Sequence, residues 1–559
     1  MFMGIFKSIV ALFTSVVMFF GTVWNAGISA VNSYSFTVDT SELGDVLVNP
    51  ASNVNIWSIQ GNPFVGVKIN EENNIFEFVD YIQLMQCTGG NADRDLFKDP
   101  YDRTVLDDYD FTKLIENCRG IIGLGAKPML KLGSVPLKYS AKASEDEYFG
   151  ANVYPPDDYD VYYNYIAAIA QALVDEFGKE EVLSWRFGVM TEYENSDWFM
   201  AVSGDPDESA AEYCKLYDYT VQALIDVIGE DIFVGAHAMA VTEGLWDERA
   251  FINHCANGTN YKTGEKGSRI CYLAASFYDV APGEETSGMN FENTMKHLKA
   301  AADEAGLENL IFGVDEGRIL YGNSYGAVDR QLNTRTVGFT YQAAYDARIY
   351  RTMFKNNINY FSSWSFLSGG LLYGNPTVSY HVARNAAKFD GAKLAETKKT
   401  YRALFPNIEV DAVSAYNEET QTVHVMAYNY KNDVDYKNTA KINFTLKVPQ
   451  FDCEKVRVTA YVIDDDCNYF DEWQQDRVTY GIGDDCFAWS PDDPEIGSVT
   501  TLEKEWAREI YFNELEAKYK ECSKLEPAAS EAEVKNGKVK LDIKLDPNAV
   551  VFYEITQVK

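Results

Sequence analysis

The chain has 559 residues, enough for two or three domains of ordinary size, because one core rarely grows past roughly 250 to 300 residues. Hydrophobic residues make up 46% and aromatic residues 14%, with 38 Gly and 16 Pro, which excludes a disordered, collagen-like or low-complexity protein. Its 84 acidic against 49 basic side chains give a net charge of −35, a field that repels phosphate backbones and anionic headgroups, so no nucleic-acid partner is expected.

Residues 1–30 form the first unit. Lys7 precedes an apolar run from Ile9 to Trp24, and the small residues Ala26, Gly27, Ser29 and Ala30 follow, which is the pattern of a secretory signal peptide. The run is shorter than the roughly 20 residues needed to cross a bilayer, so a secreted or extracellular protein with no membrane association after signal cleavage is expected. An uncleaved anchor that leaves the protein at the cell surface is the alternative.

From about Ser35 to Phe405 short apolar runs alternate with amphipathic stretches, as in repeated β-α units with a parallel sheet. The runs cover residues 55–61, 82–89, 127–132, 184–192, 232–239, 271–278, 310–316 and 359–366. Between the third and fourth, Ile166, Ala170, Leu173, Val174 and Phe177 recur at helical spacing. Eight strands with helices between them predict an α/β fold, a (β/α)8 TIM barrel over residues 31–405 with elaborated loops. Periodicity alone leaves a doubly wound open sheet as the alternative.

After Phe405 the pattern becomes close alternation at 421–428 and 440–448, which predicts half-buried antiparallel strands, with further strands at 456–463, 538–544 and 550–555. Residues 406–559 are therefore expected to form a C-terminal all-β sandwich, interrupted by a charged helix near 502–520. Nine cysteines are too sparse for a disulfide framework. With five His and no CxxC or HExxH motif, neither a metal site nor a cofactor is expected. Asp464, Asp465, Asp466, Asp484 and Asp485 read as a solvated acidic surface in preference to Ca2+ ligands.

In a TIM barrel the catalytic groups sit where strands end at the C-terminal face. Glu192 closes the fourth run and Glu316 the seventh, each after an apolar stretch that buries in the barrel wall. Two carboxylates about 5 to 5.5 Å apart can carry out retaining glycoside hydrolysis, one attacking the anomeric carbon while the other trades a proton with the leaving oxygen and then with water. The competing reading makes one or both a salt-bridge partner at the rim.

Segments 162–178 and 182–192 resemble the fourth-strand region of glycoside hydrolase family 39, the family of β-xylosidases and α-L-iduronidases. Segment 461–473 is similar to the Ile-Asp, Asn and Trp pattern of that family's accessory β-domain, and the resemblance spans roughly residues 50–559. It implies that Glu192 is the acid/base and Glu316 the nucleophile. It also implies exo action on a xyloside-like glycoside, with a glycan or glycoside as the partner molecule. Two departures stand out. Thr191, Glu192 and Tyr193 replace the family's Asn-Glu-Pro, so Thr191 takes the place of the Asn that holds the sugar 2-hydroxyl; Asp315, Glu316 and Gly317 replace Thr-Glu-Trp.

Four further residues are candidates for substrate contact. Tyr278 ends the sixth run, where the clan places a group touching the nucleophile, and Trp364 on the eighth run suits a platform under the sugar ring; each reads equally as core. His237, at the end of the fifth run, and Arg94, after the second, read as substrate contacts or as loop-stabilising groups. Glu194 is the next carboxylate should Glu192 prove a bystander. The expectation is thus a secreted retaining glycosidase. One rival is a catalytically silent carbohydrate-binding protein on the same fold, suggested by Thr191; another is a surface protein anchored by residues 1–30 whose sandwich is the working part.

Overall fold

The computed structural model describes residues 33–56, 59, 75–145, 147, 149–239, 244–279, 290–319, 340–363, 371–372, 375–400, 408–486, 502 and 504–558. Residues 1–30 and Trp364, which carried the signal-peptide and sugar-platform expectations, lie outside the described residues. The described chain opens with strand β1 (Ser33–Val46) and then enters a closed parallel barrel. Its strands are β2 (Asn53–Ile56), β3 (Tyr81–Leu84), β4 (Lys127–Leu132), β5 (Arg186–Val189), β6 (Phe233–Ala238), β7 (Tyr272–Asp279), β8 (Ile311–Ile319) and β9 (Tyr360–Ser363), with β9 pairing back to β2. Every apolar run read from the sequence overlaps one of them. These strands are buried along most of their length, as happens when helices cover the outside of a parallel sheet and side chains fill the inside.

The helices between strands form where the sequence supplies both an apolar face and end signals. In Tyr159–Phe177 the Asp158 carboxylate accepts the backbone N–H groups of Asp160 and Val161, and Gly178 ends the helix at φ 84°. Ile166, Ala170 and Leu173 are buried, while Val174 and Phe177 are half-buried. Burying a side chain such as Leu173 stabilises by about 1.5–3 kcal/mol, and Leu173→Ala is expected to cost about 2–5 kcal/mol once the cavity is included. Inside the barrel, Gly235 and Gly313 make room for aromatic rings: a Cβ at either would lie 2.3 Å from an atom of Tyr272 or Tyr360. The Arg186 guanidinium lies 3.9 Å over the Tyr81 ring. Tyr81, Arg186, Tyr272 and Tyr360 each open a strand, so this layer closes the N-terminal end and leaves the C-terminal end for the site.

A hairpin, β10 (Leu371–Leu372) and β11 (Asn375–Pro376), follows the barrel. The second sheet adds β12 (Lys393–Thr400), β13 (Ile408–Asn417), β14 (Thr422–Lys431), β15 (Ala440–Lys447), β16 (Lys455–Ile463), β17 (Ala528–Glu533), β18 (Lys538–Leu545) and β19 (Val550–Gln557). Their order is β17-β16-β19-β14-β13-β12-β1-β15-β18, antiparallel except where β1 runs parallel to β15. Phe36, Val425, Phe444, Val456, Val539 and Val551 share one core, so the sheet folds over itself as a sandwich.

Two expectations need correction, and a third gains a partner. The boundary between 31–405 and 406–559 misplaces β1 and β12, which belong to the second sheet. In β1 Tyr34, Phe36 and Val38 are buried while Ser35 is exposed, the alternation of a one-sided sheet and not of a barrel strand. Segment 421–428 is not half-buried: Val423, Val425 and Ala427 face the sandwich core, whereas Met426, Tyr428 and Tyr430 pack on the barrel side. Covering both faces removes the polar side that alternation implies. Finally, the charged helix near 502–520 is the run Glu505–Cys522, and it has an unpredicted partner, helix Phe470–Tyr480, whose Trp473 meets Tyr511 at 5.8 Å.

Among the described residues no helix is long and apolar enough to cross a membrane. All nine cysteines are free thiols. Asp464 accepts the Asp466 N–H at 3.0 Å and Asp485 pairs with Lys504, so these acids serve a turn and an ion pair.

Candidate active site

Glu192 lies just past β5, on a turn that the backbone makes through Met190 at φ 61° and Glu192 at φ 41°. Non-glycine residues there cost on the order of 1–3 kcal/mol each and persist only where neighbours hold them. The neighbours are identifiable. The Met190 N–H donates to the Leu132 carbonyl and the Tyr193 N–H to the His237 carbonyl, both at 3.0 Å, tying the turn to β4 and β6. Tyr193 packs between Tyr213 at 4.7 Å and Phe251 at 4.8 Å, so a buried ring anchors the position where proline was expected. Glu192 Oε2 then accepts hydrogen bonds from Asn195 Nδ2 at 2.9 Å and Trp198 Nε1 at 3.2 Å. The Trp198 ring stacks on Phe149 at 4.1 Å.

Glu316 lies within β8. Ala275 pairs with Val314 but Ser276 pairs with Glu316, and on the other flank Val314 pairs with Phe361 but Gly317 with Ser363, so β8 carries a bulge. The Tyr278 hydroxyl donates to Glu316 Oε1 at 2.5 Å, the contact expected of a group on the sixth barrel strand. His237 is fully buried, with Nε2 2.8 Å from Ser276 Oγ and Nδ1 without a hydrogen-bond partner among the described residues. One carboxylate oxygen each of Glu192 and Glu316 and one ring nitrogen of His237 all lie within 4.8 Å of one another. Burial, reinforced by the nearby Lys131 ammonium, holds the His237 imidazole well below its usual range, so it is neutral. A neutral ring beside two carboxylates leaves their charges unbalanced from that side.

The other candidates are distributed differently. Thr191 is buried and its hydroxyl donates to the Met85 carbonyl at 3.4 Å, turned toward the backbone of the second strand's loop. Arg94 is buried after β3, where burial lowers its pKa against the opposing charges of Asp93, Asp95 and Glu145, and its Nη1 has no hydrogen-bond partner among the described residues. Glu194 Oε1 accepts the Met239 N–H at 2.7 Å and ties two loops together. Among the described residues, the Glu192–His237–Glu316 trio and the group Asp39, Glu42 and Glu396 bring three side chains of metal-ligating type close together. In the second group Lys447 and Ser41 already engage Asp39.

Sequence reading missed Asn195 and Trp198, whose signal was only their spacing three and six residues after Glu192. It also missed Lys131, although a lysine inside the apolar run 127–132 is itself an anomaly.

A closed (β/α)8 barrel with acidic side chains gathered at the C-terminal ends of its fourth and seventh strands defines a barrel of the type that carries its chemistry on that face. Residues 93–476 match the profile of Glycosyl hydrolases family 39, and the chain belongs to that family. A β-xylosidase of Geobacillus stearothermophilus is 28% identical over 151 residues, 26% of this chain and 28% of that protein. A β-xylosidase of Caldicellulosiruptor saccharolyticus is 29% identical over 182 residues, 32% of this chain and 36% of that protein. The matched stretch therefore spans about a third of the length of these relatives. A monomeric β-xylosidase from Caulobacter crescentus has a similar fold, with a TM-score of 0.59 and 14% identity over 94% of this chain and 100% of that one.

Proposed function

We propose that the protein is a retaining glycoside hydrolase that cleaves O-glycosidic bonds by double displacement, acting from the chain end of a xyloside-like glycoside. The observation that carries this reading is the convergence of Glu192, Glu316 and His237 within 4.8 Å at one end of the barrel. Carboxylate oxygens this close favour direct attack on the anomeric carbon over the wider arrangement of inverting pairs, whose carboxyl groups stand about 6.5–9.5 Å apart to admit a water.

Each residue has a task in that cycle. Glu316, with Tyr278 fixing Oε1, attacks the anomeric carbon to form a glycosyl ester. Glu192 gives its proton to the leaving oxygen and takes one from water in the second half. Asn195 and Trp198 donate to Glu192 Oε2, favouring the ionised form that must exist when water attacks. His237, neutral throughout, keeps a nitrogen for hydrogen bonding to a sugar hydroxyl. The relatives' activity supports the xyloside as first substrate to try, and the composition of residues 1–30 supports secretion.

A panel of aryl xylosides, arabinosides, galactosides, glucosides and uronides tests activity and glycone together, with the anomer of the first-formed product read by NMR. Retained configuration on any of them is expected. Inversion, or no turnover across the panel, would overturn the reading, and an intact N-terminus on exported protein would overturn the secretory part.

A further inference from the structure

Directly before Glu316 stands Asp315, fully buried and in ion-pair contact with the fully buried Lys131 of β4. On an unbroken strand consecutive side chains point to opposite faces, so Asp315 would face the helices if Glu316 faced the barrel axis. It does not. The pairing of β8 with both neighbours skips Asp315, and the bulge lets Asp315 and Glu316 both serve the interior. Asp315 meets Lys131 and accepts the Tyr360 hydroxyl at 2.7 Å, while Glu316 meets Tyr278. A bulge also withdraws a backbone carbonyl from the ladder. Here the Asp315 carbonyl accepts Asn55 Nδ2 at 3.1 Å and Gln83 Nε2 at 3.3 Å. Four other barrel strands, β2, β3, β4 and β9, thus hold one residue.

The fold makes space for this arrangement at a cost. A Cβ at Gly188 would lie 2.7 Å from Lys131 Cδ, so β5 gives up a side chain where the lysine passes. Burial works against the Lys131 charge, and Asp315, then Glu316 and Glu192, oppose that effect. A buried ion pair is a poor device for stability, since neutral side chains of similar volume usually serve as well. Its use directly beneath the carboxylate pair calls for another reason.

We infer that the Lys131–Asp315 pair is a positioning device that locks the β8 bulge and so fixes where the Glu316 carboxylate stands. This rests on the reading of Glu316 as the nucleophile. Asp315 stands where the family resemblance expects threonine, so the clamp is a feature of this chain's own residues. Lys131 and Asp315 act through Glu316 and need not touch the sugar.

The test uses K131M/D315N, which removes both charges while keeping volume, and Tyr360→Phe, which removes one hydrogen bond to Asp315. The probes are an aryl glycoside and an activated 2-fluoro glycoside of the sugar the wild type turns over, β-xylosides first, with rates expressed per titrated active site. A misplacement of about 1 Å is worth about 10²-fold, so the double variant should label Glu316 roughly that much more slowly with little change in KM. Tyr360→Phe should lose about tenfold. A crystal structure of the double variant should show Glu316 away from Tyr278. Wild-type labelling rates per site together with an unchanged Tyr278–Glu316 contact would overturn the inference. If the double variant fails to fold, Tyr360→Phe decides by the same two readouts. Should the wild type turn over none of the panel, the proposed function fails instead, and the variant's crystal structure still decides whether the pair sets the bulge.

Discussion

Glu192 stands beyond the end of β5 on a turn with two left-handed residues, whereas Glu316 stands inside β8 with paired residues on both sides. Two hydrogen bonds to Glu192 come from its own loop, through Asn195 and Trp198. Glu316 is held from other strands, by Tyr278 of β7 and, through Asp315, by β2, β3, β4 and β9. On the proposed mechanism this difference has a use. A nucleophile must be aimed, and strands aim better than loops; an acid/base must change its proton and its partners twice per cycle, which a turn with adjustable donors permits. Changes near Glu316 should therefore slow every substrate, and changes near Glu192 should sort substrates by leaving group and pH.

The largest effect is expected from Glu316→Ala, which should lower kcat by at least about 10⁴-fold on all substrates, because no second group can form the ester. Peptide mapping after the 2-fluoro reagent should find the label on Glu316 in the wild type; a label on Glu192 would reverse the two roles. Next comes Glu192→Ala, at about 10²- to 10⁴-fold for poor leaving groups and far less for activated ones. Added azide should restore turnover and give a glycosyl azide of retained configuration, and a variant equally slow on all leaving groups would remove the contrast between the two sites.

Tyr278→Phe deletes a hydrogen bond to a charged group, so a loss of about ten- to a hundredfold is expected, uniform across leaving groups. Leaving-group dependence here would place Tyr278 on the Glu192 side. Trp198→Phe removes a donor that favours ionised Glu192, so its pKa should rise and the basic limb of the kcat/KM profile should move to higher pH. An unmoved limb would show that Trp198 does not set the proton.

The smallest effect concerns the scaffold and separates site titration from unfolding. Burial pushes His381 and His424 down to about 4 from 6.5. The unfolded chain takes up protons at these rings near pH 6.5 while the folded chain does not until about 4, so stability falls as pH drops through that window. Each should contribute roughly 1 kcal/mol per pH unit there, and His381→Gln should flatten the melting-temperature profile without altering rates per active site. A profile as steep as wild type would assign the acid loss to other groups.

The sequence by itself determined the eight β-α units of a parallel sheet, because parallel strands buried on both faces read as apolar runs and the intervening helices carry a periodic apolar face, while closure into a barrel rests on β9 pairing back to β2. It also located Glu192 and Glu316, since each run ends where the barrel face begins. Tyr278 and His237 followed for the same reason. Thr191, read at the end of the fourth run, and Arg94, read after the second, have contacts that the sequence left open, since these depend on which parts of the chain, such as Met85, pass beside them.

Only the tertiary structure decided the rest. β1 joins the second sheet by pairing with residues more than 340 positions away, and no local pattern encodes which sheet an alternating strand will join. The two buried faces of β14 exist because the barrel packs on one of them. The bulge at Asp315 cannot be read from Val314-Asp315-Glu316, because a strand shows its register only against its neighbours. A lysine in one apolar run and an aspartate in another are separate anomalies along the chain. The closed barrel, by bringing β4 and β8 to a common interior, makes them one buried pair beneath the carboxylates.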